Sequence, residues 1–162
     1  MDLRHRAPIA TVLVAALLAL AACGGGSPPP RPGTEAASSE AVTRVGDVSI
    51  RASVVQTSLL NDAVARDYGI TPDPGVVLLL VAVRRGPDAE ATAEPAQVTA
   101  TATGLRGDRQ VVAMREVQAG GLTDYIGTVT TSLPETLRFD ITVVRAGGAR
   151  STLQLTRDFY PQ

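Results

Sequence analysis

Alternation of apolar and polar residues with a period of two dominates the sequence after residue 42. The pattern runs through residues 48–55, 98–103 and 137–143. Successive side chains of a β-strand point to opposite faces, so this pattern predicts strands with one buried face and one face in water. Such strands hide their apolar side chains only by packing sheet against sheet. The sequence therefore predicts an all-β fold.

Four further strands are predicted, at residues 76–83, 111–117, 124–131 and 151–159. The first of these is apolar on both faces, as is typical of a central strand that is covered on both sides. Paired glycines lie in two of the connections, at residues 120–121 and 147–148, and glycine adopts the positive φ that tight connections need. About seven strands joined in this way predict an immunoglobulin-like antiparallel β-sandwich.

One short helix is predicted between the first two strands, at residues 48–55 and 76–83. Asn61 can cap a helix over residues 62–68, and Gly69 can take the left-handed conformation after it. Pro72 stops any continuation. Val64 and Tyr68 lie four residues apart on one face, which we expect to close an end of the sandwich.

The first residues of the chain have the pattern of a secretory signal. A start with basic residues precedes an apolar run over residues 9–20, which is too short for a permanent membrane span. The run ends in a sequence that resembles the bacterial lipobox, formed by Leu20, Ala21, Ala22 and Cys23. We therefore expect a lipoprotein signal peptide over residues 1–22 and acylation of Cys23. The alternative is an ordinary secretory signal followed by a free cysteine.

Composition divides the rest of the chain into a tether and a domain. Residues 23–41 are rich in Gly, Pro and Ser and predict a flexible tether behind the lipidated Cys23, whereas residues 42–162 predict the β-sandwich domain. Gly24 follows the cysteine, where Asp would favour retention in the inner membrane, so the outer membrane is the favoured location. Since Cys23 is the only cysteine, no disulfide forms within the domain.

The composition also limits the chemistry. His5 is the only histidine, and no lysine occurs, so a domain without the leader lacks most general bases and nucleophiles that act near pH 7. We expect no cofactor and no metal site, since His and Cys ligands are absent and the acidic segment at residues 88–94 lacks the geometry of a calcium loop. A net charge of −1 argues against nucleic-acid binding.

The residues that merit attention as a site surround the glycine pair at 120–121. They are Arg115, Glu116, Asp124 and Tyr125, which a hairpin would bring together. A cross-strand ion pair beside an aromatic ring is the favoured interpretation. A ligand or partner contact is the second, and acid–base catalysis by the two carboxylates, Glu116 and Asp124, is the third. Tyr68 and Tyr160 are interpreted as rings at the edge of the core rather than as binding residues.

Several segments together resemble the uncharacterised proteobacterial family called domain of unknown function 4426. They are residues 57–60, 64–70, 114–117, 125–127, 135–141 and 159–160. The most specific are Tyr68-Gly69-Ile70 and the Arg115-Glu116 segment that runs into Tyr125-Ile126-Gly127. Residues 71–75 depart from the family's pattern. The resemblance implies a small, envelope-directed β domain, and it brings no established activity or catalytic residue.

We therefore expect a lipid-anchored protein of the bacterial cell envelope that faces the periplasm. It would be no enzyme but a binding or accessory module, and an edge strand or a hairpin would engage an envelope protein. The membrane is its other expected partner, through Cys23. Two alternatives stay open at this point: a small envelope hydrolase that uses Asp, Glu, Ser or Tyr, and a structural or assembly lipoprotein.

Overall fold

A computed structural model describes residues 39–162 of the chain. The predicted signal peptide, the lipobox residues Leu20, Ala21, Ala22 and Cys23, and most of the predicted tether lie outside these residues. Ten strands and one α-helix follow in the order β1 (Glu40–Val45), β2 (Val48–Gln56), α1 (Asp62–Tyr68), β3 (Val76–Arg85), β4 (Thr92–Ala93), β5 (Ala96–Thr103), β6 (Arg109–Val112), β7 (Arg115–Ala119), β8 (Leu122–Thr130), β9 (Glu135–Arg145) and β10 (Arg150–Phe159).

The strands form two antiparallel sheets that pack as a sandwich. The first sheet has the order β1-β2-β3-β8-β7, with β4 paired to the end of β3, and the second has the order β10-β9-β5-β6. The strand order is that of immunoglobulin domains, with β2-β3-β8-β7 in the first sheet and β10-β9-β5 in the second. The predicted fold class is confirmed. The helix lies between β2 and β3, which correspond to the first two predicted strands. β1 is an additional strand that the sequence pattern did not predict.

The core lies between the sheets and is built from the inward side of each alternating strand. In β2, Val48, Ile50, Ala52 and Val54 are at most 2% exposed, and the residues between them are half-buried or exposed. The same alternation holds in β9, where Phe139 has no exposed surface. Burial of these side chains supplies the main driving force for folding, since no disulfide is available.

The prediction of one strand over residues 111–117 is wrong. The segment is divided into β6, which pairs with β5 in the second sheet, and β7, which pairs with β8 in the first. The chain crosses between the sheets at Ala113 and Met114 and passes directly over Gly127 of β8. A Cβ atom on Gly127 would lie 2.6 Å from Val112 Cγ1 and 2.9 Å from Met114 Sδ, so the crossing occupies the space of a side chain.

The predicted hairpin is present, and its two strands extend further toward the turn than expected. Gly120 and Gly121 have φ values of 58° and 79° and form a two-residue connection, with Ala119 paired to Leu122. Gln118 and Thr123, which were predicted to be in the loop, belong to the strands, and the Gln118 amide donates to Thr123 Oγ1 at 2.8 Å. Positive φ at both central residues matches the turn type that the strand twist favours.

The helix begins and ends as predicted. Asn61 accepts a hydrogen bond from the Val64 amide at 2.9 Å, and Gly69 adopts the left-handed conformation with a φ of 62°. Its place is different from the prediction, because Tyr68 packs on the outer face of the first sheet rather than at an end of the sandwich. No helix in the described part of the chain is long and apolar enough to cross a bilayer.

Two buried polar side chains fasten the long connection between β2 and β3. The Gln56 amide donates to the carbonyl oxygens of Pro74 and Tyr160, at 3.2 and 3.0 Å. Thr57 Oγ1 donates to the Asp73 carbonyl and accepts from the Asp73 amide. Buried polar groups are tolerated when they are hydrogen-bonded in this way. The connection and the C-terminal residues are thereby held at the same end of the sandwich.

Substitution of Gly127 tests the crossing. We expect Gly127→Ala to lower the free energy of unfolding by about 1 to 3 kcal/mol, because the added methyl overpacks against Val112 and Met114. Urea unfolding of the purified protein measures this loss. Val112→Ala removes the nearest methyl, so the double variant should lose less than the sum of the two single losses. Strict additivity of the two substitutions would contradict the close approach.

Candidate functional site

A second apolar cluster covers the outer face of the first sheet. Leu78, Val117 and Ile126 are buried there, and Tyr68 and Ile70 from the end of α1 pack against them. The helix therefore acts as a cover on β3, β7 and β8. This cover explains why β3 is apolar on both faces, and it confirms the prediction that this strand is central.

Arg115 joins the helix to the edge of the sheet. Its guanidinium Nη2 donates a hydrogen bond to the backbone carbonyl of Tyr68, in the last turn of α1. The carbonyl groups of a last helical turn lack partners within the helix, and a cation near them is favourable. The two segments that are most specific for the family resemblance, Tyr68-Gly69-Ile70 and the strand that begins at Arg115, therefore meet in space.

A groove lies where these segments meet. It has a volume of about 260 Å³, and Ile70, Thr71, Arg115, Ile126 and Thr128 are among its lining residues. Arg115 is the ionisable side chain in its described lining. An arginine donates hydrogen bonds and does not lose its proton at physiological pH, so this groove can bind an acceptor group but supplies no general acid or base.

The buried Asp124 forms an ion pair with the half-buried Arg84 of β3. The two side chains are 9% and 16% exposed, and Arg84 also donates to the carbonyl oxygens of Thr123 and Val83, at 2.9 and 3.2 Å. The carboxylate and the guanidinium are thus paired across β8 and β3. Their contact joins two neighbouring strands.

Tyr68 lies near this ion pair. Partial burial raises the pKa of Tyr68 above its ordinary value of 10.0, and the negative charge of Asp124 raises it further. The phenol therefore keeps its proton at physiological pH. It can donate or accept a hydrogen bond, but it is not a phenolate nucleophile or base.

Tyr125 faces the opposite way, into the core. Its ring is 4% exposed, and its hydroxyl oxygen accepts a hydrogen bond from the Ala96 amide at 2.8 Å. This bond connects β8 of the first sheet with the beginning of β5 in the second. A buried tyrosine needs such a partner for its hydroxyl group, so Tyr125 has a structural role between the sheets.

The structure therefore separates the four residues of the predicted surface. Arg115 and Glu116 are exposed on β7, whereas Asp124 and Tyr125 are buried. Asp124 pairs with Arg84 instead of a residue across the hairpin, and Glu116 lies opposite Tyr125 in the strand register. The sequence separates Arg84 from Asp124 by forty residues, so no local pattern could have revealed that pair.

The predicted acidic segment is held by arginines. Arg44 pairs with Asp88, and Arg85 lies between Asp47 and Glu94, at 2.7 and 2.9 Å. The hydrogen bond from Arg85 is the largest influence that lowers the pKa of Glu94 below its ordinary value. Within residues 39–162, no group of three His, Cys, Asp or Glu side chains comes close enough together to hold a metal ion.

Two other cavities lie at opposite ends of the sandwich. One has a volume of about 680 Å³ and lies between the β5–β6 loop and the β8–β9 loop, with Leu105, Arg106, Asp108, Ser132 and Glu135 in its lining. The other, of about 270 Å³, lies beside the β1–β2 turn, where its two acidic residues are the ones paired with Arg44 and Arg85. Tyr68 and Glu94, whose pKa values are shifted, line none of the three cavities.

Asp124→Ala tests the buried pair. We expect it to lower the free energy of unfolding by about 3 kcal/mol, because it leaves the Arg84 guanidinium buried without its counter-charge. Asp88→Ala is the matched control, since its partner Arg44 and Asp88 are 63% and 76% exposed, and it should cost less than about 1 kcal/mol. Urea unfolding distinguishes the two variants. Equal losses would show that Arg84 and Asp124 are no more coupled than a surface pair.

Comparisons with solved structures agree with this fold. A DUF4426 family protein from Pseudomonas aeruginosa PAO1 is 25% identical and has a TM-score of 0.64, over 76% of this chain and 97% of that one. FetP of uropathogenic Escherichia coli strain F11, expressed recombinantly in the periplasm, is 8% identical with a TM-score of 0.50, over 75% of this chain and 94% of its own. A copper-bound variant of FetP is also 8% identical, with a TM-score of 0.51, over 76% and 97%.

The two FetP structures share the fold with this chain. At 8% sequence identity they support no conclusion about its function. No functionally curated protein matches the sequence. The model of the domain of unknown function called DUF4426 matches residues 42–162, which is most of the chain. The segments named in the sequence analysis lie within this match, and the chain belongs to the DUF4426 family.

Proposed function

We propose that this protein is a lipid-anchored component of the bacterial cell envelope that faces the periplasm and acts as a non-catalytic binding or accessory module. The leader and its lipobox support the anchor, since acylation of Cys23 would add several fatty chains and hold the domain stably at a membrane. Gly24 after the cysteine favours the outer membrane. Confinement near a surface raises the effective concentration, so a weak contact with an envelope partner would suffice.

The open edge of β7 is the observation that carries the binding role. In the described part of the chain, β7 pairs with β8 on one side and with no strand on the other. An unpaired strand edge can accept a strand of a partner through backbone hydrogen bonds. Glu116 and Gln118 are exposed along this strand and would give such a contact its polar specificity.

The arrangement of ionisable groups supports a role without catalysis. A hydrolase of the Asp, Glu, Ser or Tyr type needs at least two such groups facing a reacting atom in a cavity. The groove beside α1 has only Arg115 as an ionisable side chain in its described lining, and the carboxylates beside the β1–β2 turn are paired with arginines. The cavity of about 680 Å³ contains Asp108, Ser132 and Glu135, and there the Glu135 carboxylate accepts hydrogen bonds from the amides of Leu105 and Thr136, at 3.1 and 3.0 Å. These side chains hold strands and loops together.

Copper binding, which is stated for the FetP variant, does not fit the side chains of this domain. Copper sites in proteins are built mainly from His, Cys and Met ligands. His5 and Cys23 are the only residues of their types, and both precede the domain. Met114 packs against the main core. The donor set therefore gives no support for a copper site of this domain.

The anchor can be tested on the mature protein. We expect its intact mass to include a diacylglyceryl group and an N-terminal acyl chain on Cys23, and its thiol to be inert to maleimide after denaturation. Mass spectrometry of protein extracted from the envelope with detergent measures both. Cys23→Ala is the control, since it should abolish the acylated form. A mature chain with a free Cys23 thiol would refute the anchor.

The partner contact can be tested by photo-crosslinking in living cells. A photoreactive amino acid at Glu116 should give a discrete adduct with one envelope protein. The matched control is the same photoreactive residue at Arg138, which is exposed on β9 and is paired with Thr103 of β5 on one side and with Thr156 of β10 on the other. Adducts of equal yield at both positions, or no adduct at Glu116 when the photoreactive residue is fully incorporated, would contradict binding at the β7 edge.

A further inference from the structure

The described chain begins at one particular end of the sandwich, which we call the tether end. The Ser39 carbonyl accepts a hydrogen bond from the Val54 amide at 3.0 Å, near the last residues of β2. The connection from β2 to β3, the β5–β6 loop, the β8–β9 loop and the C-terminal residues lie at this same end. The β1–β2 turn and the glycine turn at residues 120–121 lie at the other end.

Exposed apolar side chains are concentrated at the tether end. Leu59 is 53% exposed, Leu105 is 76% exposed and Tyr160 is 58% exposed, and they come from three separate segments. Of the other strongly exposed large apolar residues in the described chain, Val42 and Val111 lie along edge strands and Val45 lies at the opposite end, where it is 47% exposed. Three of the six strongly exposed large apolar residues of the described chain therefore lie at the tether end.

Leu105 is presented by a loop with its own hydrogen bonds. The Gly104 amide donates to the Asp108 carbonyl, and the Gly107 amide donates to the Gly104 carbonyl, both at 3.0 Å. The Leu105 amide donates to the Glu135 carboxylate at 3.1 Å. The backbone is therefore held in place while the leucine side chain stands in water. Arg106 follows it and is also exposed.

The length of chain before the domain limits what this end can meet. Residues 24–38 span at most about 50 Å when fully extended, and a flexible chain of that length has ends about 20 to 25 Å apart. If Cys23 carries acyl chains, the tether joins the domain to the lipid headgroups at this end. A leucine and an arginine side by side suit that boundary, because the leucine enters the acyl region and the guanidinium binds phosphate.

We propose that the tether end, led by Leu105 and Arg106, is a membrane-contacting surface that docks on the phospholipid bilayer and orients the domain. This inference rests on the proposed acylation of Cys23. Docking in this way points the glycine turn at residues 120–121 away from the bilayer. The edge of β7 then runs outward from the membrane, where a periplasmic segment of a partner can reach it.

The test uses the absence of any other cysteine. Leu105→Cys in the full, acylated chain gives a single free thiol for a fluorescent label, and Val45→Cys gives a matched label at the opposite end. Both proteins are reconstituted in vesicles of phosphatidylethanolamine and phosphatidylglycerol, with nitroxide lipids as membrane quenchers and iodide as the aqueous quencher. We expect lipid quenching at position 105 to exceed that at position 45 at least twofold, and iodide quenching to show the reverse order.

Equal quenching at both positions, or stronger iodide quenching at position 105, would overturn the membrane-contacting surface. A label at position 105 that is shielded from both quenchers would assign this end to a protein contact and would also overturn it. Failure of the anchor gives a different result, namely labelling of Cys23 in the wild-type chain. In that case the same labels are compared in the Cys23→Ala background with vesicles added, and stronger lipid quenching at position 105 than at position 45 is still required.

Discussion

The crossing of the chain between the two sheets at Ala113 and Met114 is the constraint on which the rest of the structure depends. The crossing segment lies so close to Gly127 that no side chain fits there. It places β6 in one sheet and β7 in the other, within a few residues. As a result, Arg115 reaches the end of α1 and Glu116 stands on a sheet edge. The helix, the edge and the core are thus coupled through one short segment.

Arginine is the cation in each ion pair that the structure describes. Arg84 joins β3 to β8 through Asp124, and Arg115 joins β7 to the helix through the Tyr68 carbonyl. Arg85 connects the β1–β2 turn to the segment before β5 through two carboxylates. Guanidinium groups suit this role because they donate several hydrogen bonds in a fixed plane. In this domain the guanidinium groups of Arg84, Arg85 and Arg115 hold neighbouring elements together.

Local patterns were sufficient for much of the fold. The period of two predicted the inner faces of β2, β5 and β9, Asn61 and Gly69 bounded the helix, and the glycine pair marked the hairpin. Each of these features depends on residues that are close together in the chain, so it can be recognised in a single sequence. The signature residues around Arg115 were also identified from the sequence, but their separate roles were not, because those roles depend on contacts with β3, α1 and β5.

Two elements were missed for different physical reasons. β1 was not predicted, because its apolar and polar residues do not alternate regularly. Val42 and Val45 are exposed, as is common in an edge strand. The crossing was not predicted because residues 111–117 were interpreted as one strand. The sequence does contain a signal, since Val112 and Val117 are both apolar but lie five residues apart, a spacing that puts them on opposite faces of a single strand. In the structure both are buried.

We propose that this domain acts by contact at a membrane and not by turnover. This proposal is tested most directly by the yield of a partner adduct from a photoreactive residue at Glu116 in two forms of the protein. One is the anchored wild type, and the other is a released form in which the leader of a soluble periplasmic protein replaces residues 1–23, and both are compared at equal amounts in the envelope. Confinement predicts a yield at least about tenfold lower for the released form, with unchanged stability of the domain. Equal yields from the two forms would contradict the account.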